Sequence, residues 1–311
     1  HGSKPSKMLG TICGLKVYPV KGCGALHVKR WPMDGGSLFL DRRWCLTLAG
    51  PRKRPVSAKQ APRLTNVKLT LKREETRFVL VLSSKFHPQK LEMVLSAEDS
   101  HFLLETGIQT DDSDVQRIDD DDRSSTVRME DNEDLGSAWF QELLQLPDLQ
   151  LLAASRGAAG GTGEAPPKDA TLTDFANAPK TLLMVSTASL KRFGELCGLG
   201  HVPVERFRAN LEVTFPDHQA YEEMNWPSGL AVKVGAAASL SVAGKCVRCQ
   251  AIDIDPAEGG KDDRGTASLL AALATAEPGS TSKGPTFGVL LRVEEMMQLV
   301  LEVNMPLRAE G

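Results

Sequence analysis

Short β-branched and aromatic runs, broken at close intervals by turn residues, dominate the chain. This feature constrains the fold most, because helical bundles and doubly wound sheets need long amphipathic helices that are largely missing here. Strand patterning is read at residues 10–20, ending at the Lys21-Gly22 turn, and at 36–48, where charge interrupts it. Residues 65–72 and 78–83 read as a hairpin about a polar 73–76 turn, followed by strands at 91–95 and 149–154. Later strands are expected at 181–185, 209–215, 231–234, 239–242, 249–254 and 289–293. Helical periodicity is confined to 135–146, which stops before Pro147, to 189–197, which ends at Gly198-Leu199-Gly200, and to 267–276. The expected class is α+β, a β-barrel core carrying peripheral helices.

A chain of 311 residues exceeds the ~250–300 at which one core stops growing, so two packed units are expected. The Gly/Ala/Pro-rich stretch 155–168 reads as a mobile loop dividing a unit at 8–155 from one at 165–311. The acidic run 111–122 reads as a solvated loop, with no calcium-loop spacing. A net charge of −3 argues against a broad nucleic-acid or membrane surface, and no run reaches the ~18 apolar residues of a membrane span. The opening His1-Gly2-Ser3 resembles an affinity-tag remnant, so a targeting or anchoring segment could precede this sequence naturally. Six cysteines, sparse and irregular, suit reduced thiols in a cytosol-facing compartment.

The densest chemical signal is Cys246-Val247-Arg248-Cys249. Half a zinc site would need a second ligand pair, and no other CxxC exists. A thioredoxin-like dithiol belongs in a strand-to-helix turn, whereas the apolar residues here read as continuing strand. Two unrelated buried thiols are a third reading. Arg248 beside Cys249 favours a thiolate, the form that binds a soft metal, and Asp255-Pro256 closes the segment at a turn. Cys246 is expected to play a structural or supporting role, since positions three apart on a strand face opposite ways. Cys13, Cys23, Cys45 and Cys197 are read as buried apolar thiols, the tryptophans as packing residues, and the histidines as without catalytic role.

In this order the motifs resemble the MOSC domain family, and more narrowly its amidoxime-reducing mitochondrial branch. They are Tyr18-Pro19-Val20-Lys21, Asp41-Arg42-Arg43-Trp44, Gln60 to Leu64, Ser186-x-x-Ser189-Leu190, Arg206-Phe207-Arg208-Ala209-Asn210, Cys-x-Arg-Cys, and Pro285-Thr286-Phe287-Gly288. The resemblance implies a MOSC β-barrel domain with an N-terminal MOSC-type β-rich domain. It also implies a molybdenum cofactor of the pterin type, with Cys249 as catalytic metal ligand. Cofactor contacts are implied at Lys21, Gly22, Arg42, Lys180, Arg208, Asn210, Val247 and Arg248. Three of these depart from the family pattern. Gly22 stands where Ser is usual, Ala178-Pro179-Lys180-Thr181 replaces a Thr-Ser loop, and Val247 replaces Ser. Lys180 could compensate in its loop.

The implied activity is reduction of N-hydroxylated compounds such as amidoximes and hydroxylamines, and of nitrite to nitric oxide. No iron–sulfur, flavin or nicotinamide motif is visible, so electrons are expected from another protein, and the resemblance implies cytochrome b5 and its NADH-dependent reductase as that donor. A monomer, in the cytosol or on the cytosol-facing outer mitochondrial membrane, is the corresponding expectation. Three alternatives stay open: a sulfur-carrier or cofactor-maturation module, a non-enzymatic cofactor-binding protein, and a zinc-binding interaction module.

Overall fold

The computed structural model describes residues 7–50, 55–110, 125–130, 133–154, 176, 178, 180–236, 238–261, 268–276, 280–281, 283–293 and 299–310. The expected loops at 111–122 and 155–168 lie outside these residues. The central element is a closed seven-strand barrel. Its strands are β1 (Lys7–Val17), β2 (Thr181–Ser186), β3 (Leu211–Thr214), β4 (Ala231–Val234), β5 (Ala238–Val247), β6 (Gly284–Val293) and β7 (Pro306–Ala309). Around the ring the order is β2-β3-β1-β7-β4-β5-β6, and β6 returns to β2. Only the β2–β3 pair is parallel, with Met184 opposite Leu211. Closure leaves the ring without a free edge, which suits a chain rich in short strands.

β1 comes from the first half of the chain, yet it pairs with β3 and β7 from the second. The Arg30–Asp34 strand likewise pairs with Val300–Glu302. One core therefore draws Ile12, Leu15 and Trp31 together with Leu211, Val232 and Leu307, all essentially inaccessible. A second cluster, built on Phe193, Phe207 and Phe287, lies between α3 (Thr187–Leu196) and the turn after β5. Beside the barrel stands a four-stranded sheet of Lys68–Glu74, Arg77–Ser84, His87–Val94 and Thr126–Met129. α1 (Ala97–Glu105) and α2 (Glu133–Leu144) pack on this sheet, and α4 (Leu269–Thr275) lies along β6.

Several expectations change. The 36–48 segment is not one strand: Leu40 and Arg42 adopt φ values of 66° and 54°, left-handed geometry that no strand accommodates. The chain accordingly turns between Ser37–Leu38 and Trp44–Leu48. The strand expected at 249–254 is a 3₁₀ turn, Gln250–Asp253, followed by the two-residue strand Ile254–Asp255. Asp253 fixes that turn by accepting hydrogen bonds from Leu270 N (3.1 Å) and Ser268 Oγ (2.9 Å). Apolar Ile252 is buried beneath it. Helix α1 was not expected, although Ser96 caps it by accepting from Asp99 N. Cys13 is exposed rather than buried, and Cys197 is half-buried.

Candidate functional site

The end of β5, the 206–210 turn and the 41–42 turn meet around a cleft of about 180 Å³. Lys21, Arg42, Arg208, Asn210, Val247, Arg248 and Cys249 all line it, brought together from positions far apart in sequence. Gly22 and Lys180 are outside its lining. Gly22 is buried at φ 96°, and a Cβ there would stand 2.9 Å from Leu64 Cδ1. A serine at this position would be strained by the left-handed backbone. Lys180 is exposed and faces Gly36.

The alternation of an extended backbone explains the CxxC geometry. Cys246 and Arg248 are two apart and share one side; Val247 and Cys249 share the other and are exposed. The Arg248 guanidinium therefore donates from Nη1 to Cys246 Sγ (3.0 Å), and from Nη2 to the Phe207 carbonyl (2.7 Å). This corrects the expectation that Arg248 acts on Cys249: adjacent residues on an extended segment point apart. Cys246 packs against the phenylalanine cluster. The motif sits where a strand gives way to a 3₁₀ turn and not within a continuing strand, so strand continuity does not exclude a dithiol there.

Tyr18, essentially inaccessible, organises the cationic wall. Its ring lies between the guanidinium carbons of Arg208 (4.4 Å) and Arg42 (4.8 Å), and its hydroxyl donates to the Ala209 carbonyl. Burial pushes the Tyr18 phenol well above its ordinary value, so it stays neutral. Arg42 is paired with Asp41 and donates from Nη2 to the Arg208 carbonyl (3.2 Å). Burial, aggravated by the charge of Arg42, brings Arg208 down to about 10, still protonated at neutral pH. Arg208 donates from Nη1 to the Cys23 carbonyl (2.6 Å), while its buried Nη2 has no protein partner. Arg248 Nε is buried without a protein partner as well. Asn210 accepts from Leu183 N (3.2 Å) and donates to the Lys16 carbonyl (3.2 Å), which locks the turn.

Two functional features carried no role in the sequence reading. Tyr18 is one. The other is the ion pair of Arg206 with Asp255 (3.0 Å), both buried, which ties the turn after Cys249 to the 206–208 turn. The sequence offered only the Arg206-x-Arg208 pair as a signal, without indicating which of the two meets Asp255.

The arrangement tests well against a metal-bearing pterin phosphate. An exposed thiol offers a soft ligand, and a wall of Lys21, Arg42, Arg208 and Arg248 offers cations. Two buried guanidinium N–H positions lack acceptors, a cost of about 1–3 kcal/mol each that an anion would remove. The described cleft is smaller than the roughly 300 Å³ at which small-molecule sites begin, so as it stands it accommodates part of such a group. Among the described residues, no three His, Cys, Asp or Glu side chains form a metal-ligand group, so the thiol is the protein donor on offer.

Two family models match the chain: the MOSC N-terminal beta barrel domain over residues 9–147, and the MOSC domain over 173–304. Molybdenum cofactor sulfurase of Oryza sativa subsp. japonica is 27% identical over 91% of this chain and 32% of its own length. The proteins of that name from Danio rerio and Homo sapiens are 26% and 24% identical, over 93% and 80% of this chain. The chain spans about a third of the length of these relatives. The solved YUAD protein of Bacillus subtilis aligns over 99% of both chains at a TM-score of 0.41 and 8% identity, a distance at which it bears on neither fold nor chemistry. With both family models matching in order across most of its length, the chain belongs to the MOSC domain family of molybdenum-cofactor-related proteins.

Proposed function

We propose that this chain binds a molybdenum pterin cofactor in the Cys249 cleft and reduces N-hydroxylated compounds there. The carrying observation is the convergence of one exposed thiol with four cationic side chains, two of which hold buried donors without acceptors. Cys249 would supply the thiolate ligand, and Arg208, Arg42 and Lys21 would hold the phosphate. Arg248 would brace the segment through Cys246 and Phe207 while offering its Nε–H to the cofactor. When bound, the cofactor supplies two-electron oxygen-atom chemistry. The balanced reaction takes an N–OH substrate, two electrons and two protons to the N–H product and water; nitrite reduction at the same site would take one electron and two protons to nitric oxide and water. Cytochrome b5, reduced by its NADH-dependent reductase, is the proposed electron source.

The test combines molybdenum and pterin analysis with NADH-coupled reduction of benzamidoxime in the presence of cytochrome b5 and its reductase. Turnover by the loaded wild type and its loss in loaded Cys249→Ala are expected. A loaded wild type that does not turn over would reject the reductase.

The named relatives favour a second reading, a cofactor-handling module like the matching third of the molybdenum cofactor sulfurases. It predicts cofactor content and transfer of the cofactor or its sulfur to an acceptor protein, without benzamidoxime turnover.

A further inference from the structure

A second and larger cavity, about 710 Å³, lies between the four-stranded sheet and the turns at residues 203–208 and 251–257. Its size falls within the ~300–1,000 Å³ range of small-molecule sites. It touches the Cys249 cleft along Arg206, Arg208 and Ala251, yet Cys249, Arg248, Arg42, Asn210 and Lys21 take no part in it. The two halves of the chain are clasped beside it. Asn66 donates to the Ala257 carbonyl (2.8 Å), and Lys85 pairs with Glu258 (2.8 Å). The chamber is therefore a built part of the interface between the halves.

The ionic groups of its lining are one-sided. Lys68, Lys85, Lys90, Arg206 and Arg208 face it, against Glu205 and Asp255, in a chain whose net charge is −3. Asp255 is paired with Arg206, and Glu205 stands 3.9 Å from the Lys16 ammonium and 3.7 Å from the His27 ring. Burial and the Lys16 ammonium hold His27 below its ordinary value, so near neutral pH it adds no compensating charge. The exposed Lys68 has no partner among the described residues, and Arg208 contributes the buried Nη2 without an acceptor. Ala25, Val67, Pro203 and Ile254 give the remaining surface an apolar character. Walls of low polarity strengthen the field of such cations.

We infer that this chamber is a second ligand site, which takes a small aromatic molecule bearing one anionic group. The ring would lie on the apolar wall and the anion would meet Lys68 and Arg208. The inference does not rest on what Cys249 holds, although Arg208 lines both cavities and an anion bound in that cleft would share it.

The test is calorimetric titration of the full chain with 2-naphthoate, with the neutral 2-naphthamide and with inorganic phosphate. Stoichiometric binding of 2-naphthoate is expected, with the amide about tenfold or more weaker, since a charge-assisted contact is lost. Phosphate, which has no apolar body, should not displace 2-naphthoate at equal concentration, whatever it does in the Cys249 cleft. Ala257→Trp, at an exposed lining position, should abolish binding, and Lys68→Ala should weaken it about two- to fivefold. Cys249→Ala should bind as the wild type does, which separates this site from the neighbouring cleft. Equal binding of acid and amide, displacement of 2-naphthoate by phosphate at equal concentration, binding that survives Ala257→Trp, dependence on Cys249, or no binding of 2-naphthoate would each overturn the inference.

Discussion

Arg208 combines three burdens in one residue: burial, a left-handed backbone at φ 55°, and the neighbouring charge of Arg42. Stacking on Tyr18 and the bond to the Cys23 carbonyl satisfy part of this residue, but its buried Nη2 has no protein partner and an anion would meet it. Arg208→Ala is expected to lower cofactor occupancy after purification; unchanged occupancy would argue against a phosphate-holding role. Arg208→Gly should lose occupancy equally but resist urea better than Arg208→Ala by about 1 kcal/mol, because glycine tolerates the left-handed region. Equal stability of the two variants would show that this backbone position is unstrained. Among the thiols, burial pushes Cys23 up to about 12 and Cys45 up to about 11, from an ordinary 9.0. Both keep their protons in the folded chain while the unfolded chain loses them. The stability this contributes is complete below pH 9 and declines as pH rises from there toward these folded values. Urea midpoints should therefore fall between pH 8.5 and about 10.5, and the fall should shrink in Cys23→Ala; a midpoint flat across that range would contradict it.

At the scale of elements, α3 begins at Ser186, the last residue of β2. The Ser186 hydroxyl accepts from Ser189 N (3.1 Å) and donates to the buried Glu223 (3.1 Å). Ser186→Ala removes the cap and one partner of a carboxyl that burial already raises, so a loss of about 1–2 kcal/mol is expected by urea unfolding. A loss near zero would show that the cap is dispensable. Strands with alternating or continuous apolar patterning, such as 78–83 and 181–185, were legible in sequence because burial imposes that pattern. The 3₁₀ turn after Cys249 was not, because Ala251, Ile252 and Ile254 read as strand and only the distant Ser268 and Leu270 fix Asp253. The left-handed turn at Leu40 and Arg42 was hidden for a similar reason: neither residue type favours positive φ, and only the packing of the whole molecule imposes it. The cationic members of the cleft were legible as motif residues, whereas the partner of Arg248 was decided by strand alternation at a position read as adjacent charge.

The whole molecule joins its halves through one barrel, since β1 completes a ring whose other strands come from residues 181–309. The loop lengths and the composition break near 155–168 gave no hint of this exchange, because strand pairing over such separations leaves no local pattern. A fragment starting at residue 165 would lack β1 and expose the edges of β3 and β7. It should fail to unfold cooperatively when made alone, as followed by circular dichroism; a sharp transition in that fragment would show the barrel to be self-sufficient. The Cys249 cleft takes Lys21, Asp41 and Arg42 from the first half, and the larger cavity takes the edge of the four-stranded sheet, so each site depends on the two halves being joined.

The account centres on the sulfur of Cys249. X-ray absorption at the molybdenum edge, on cofactor-loaded wild type and on Cys249→Ser, tests it directly. The account predicts one sulfur fewer at the metal in the variant, whereas identical sulfur coordination in the two proteins would contradict it.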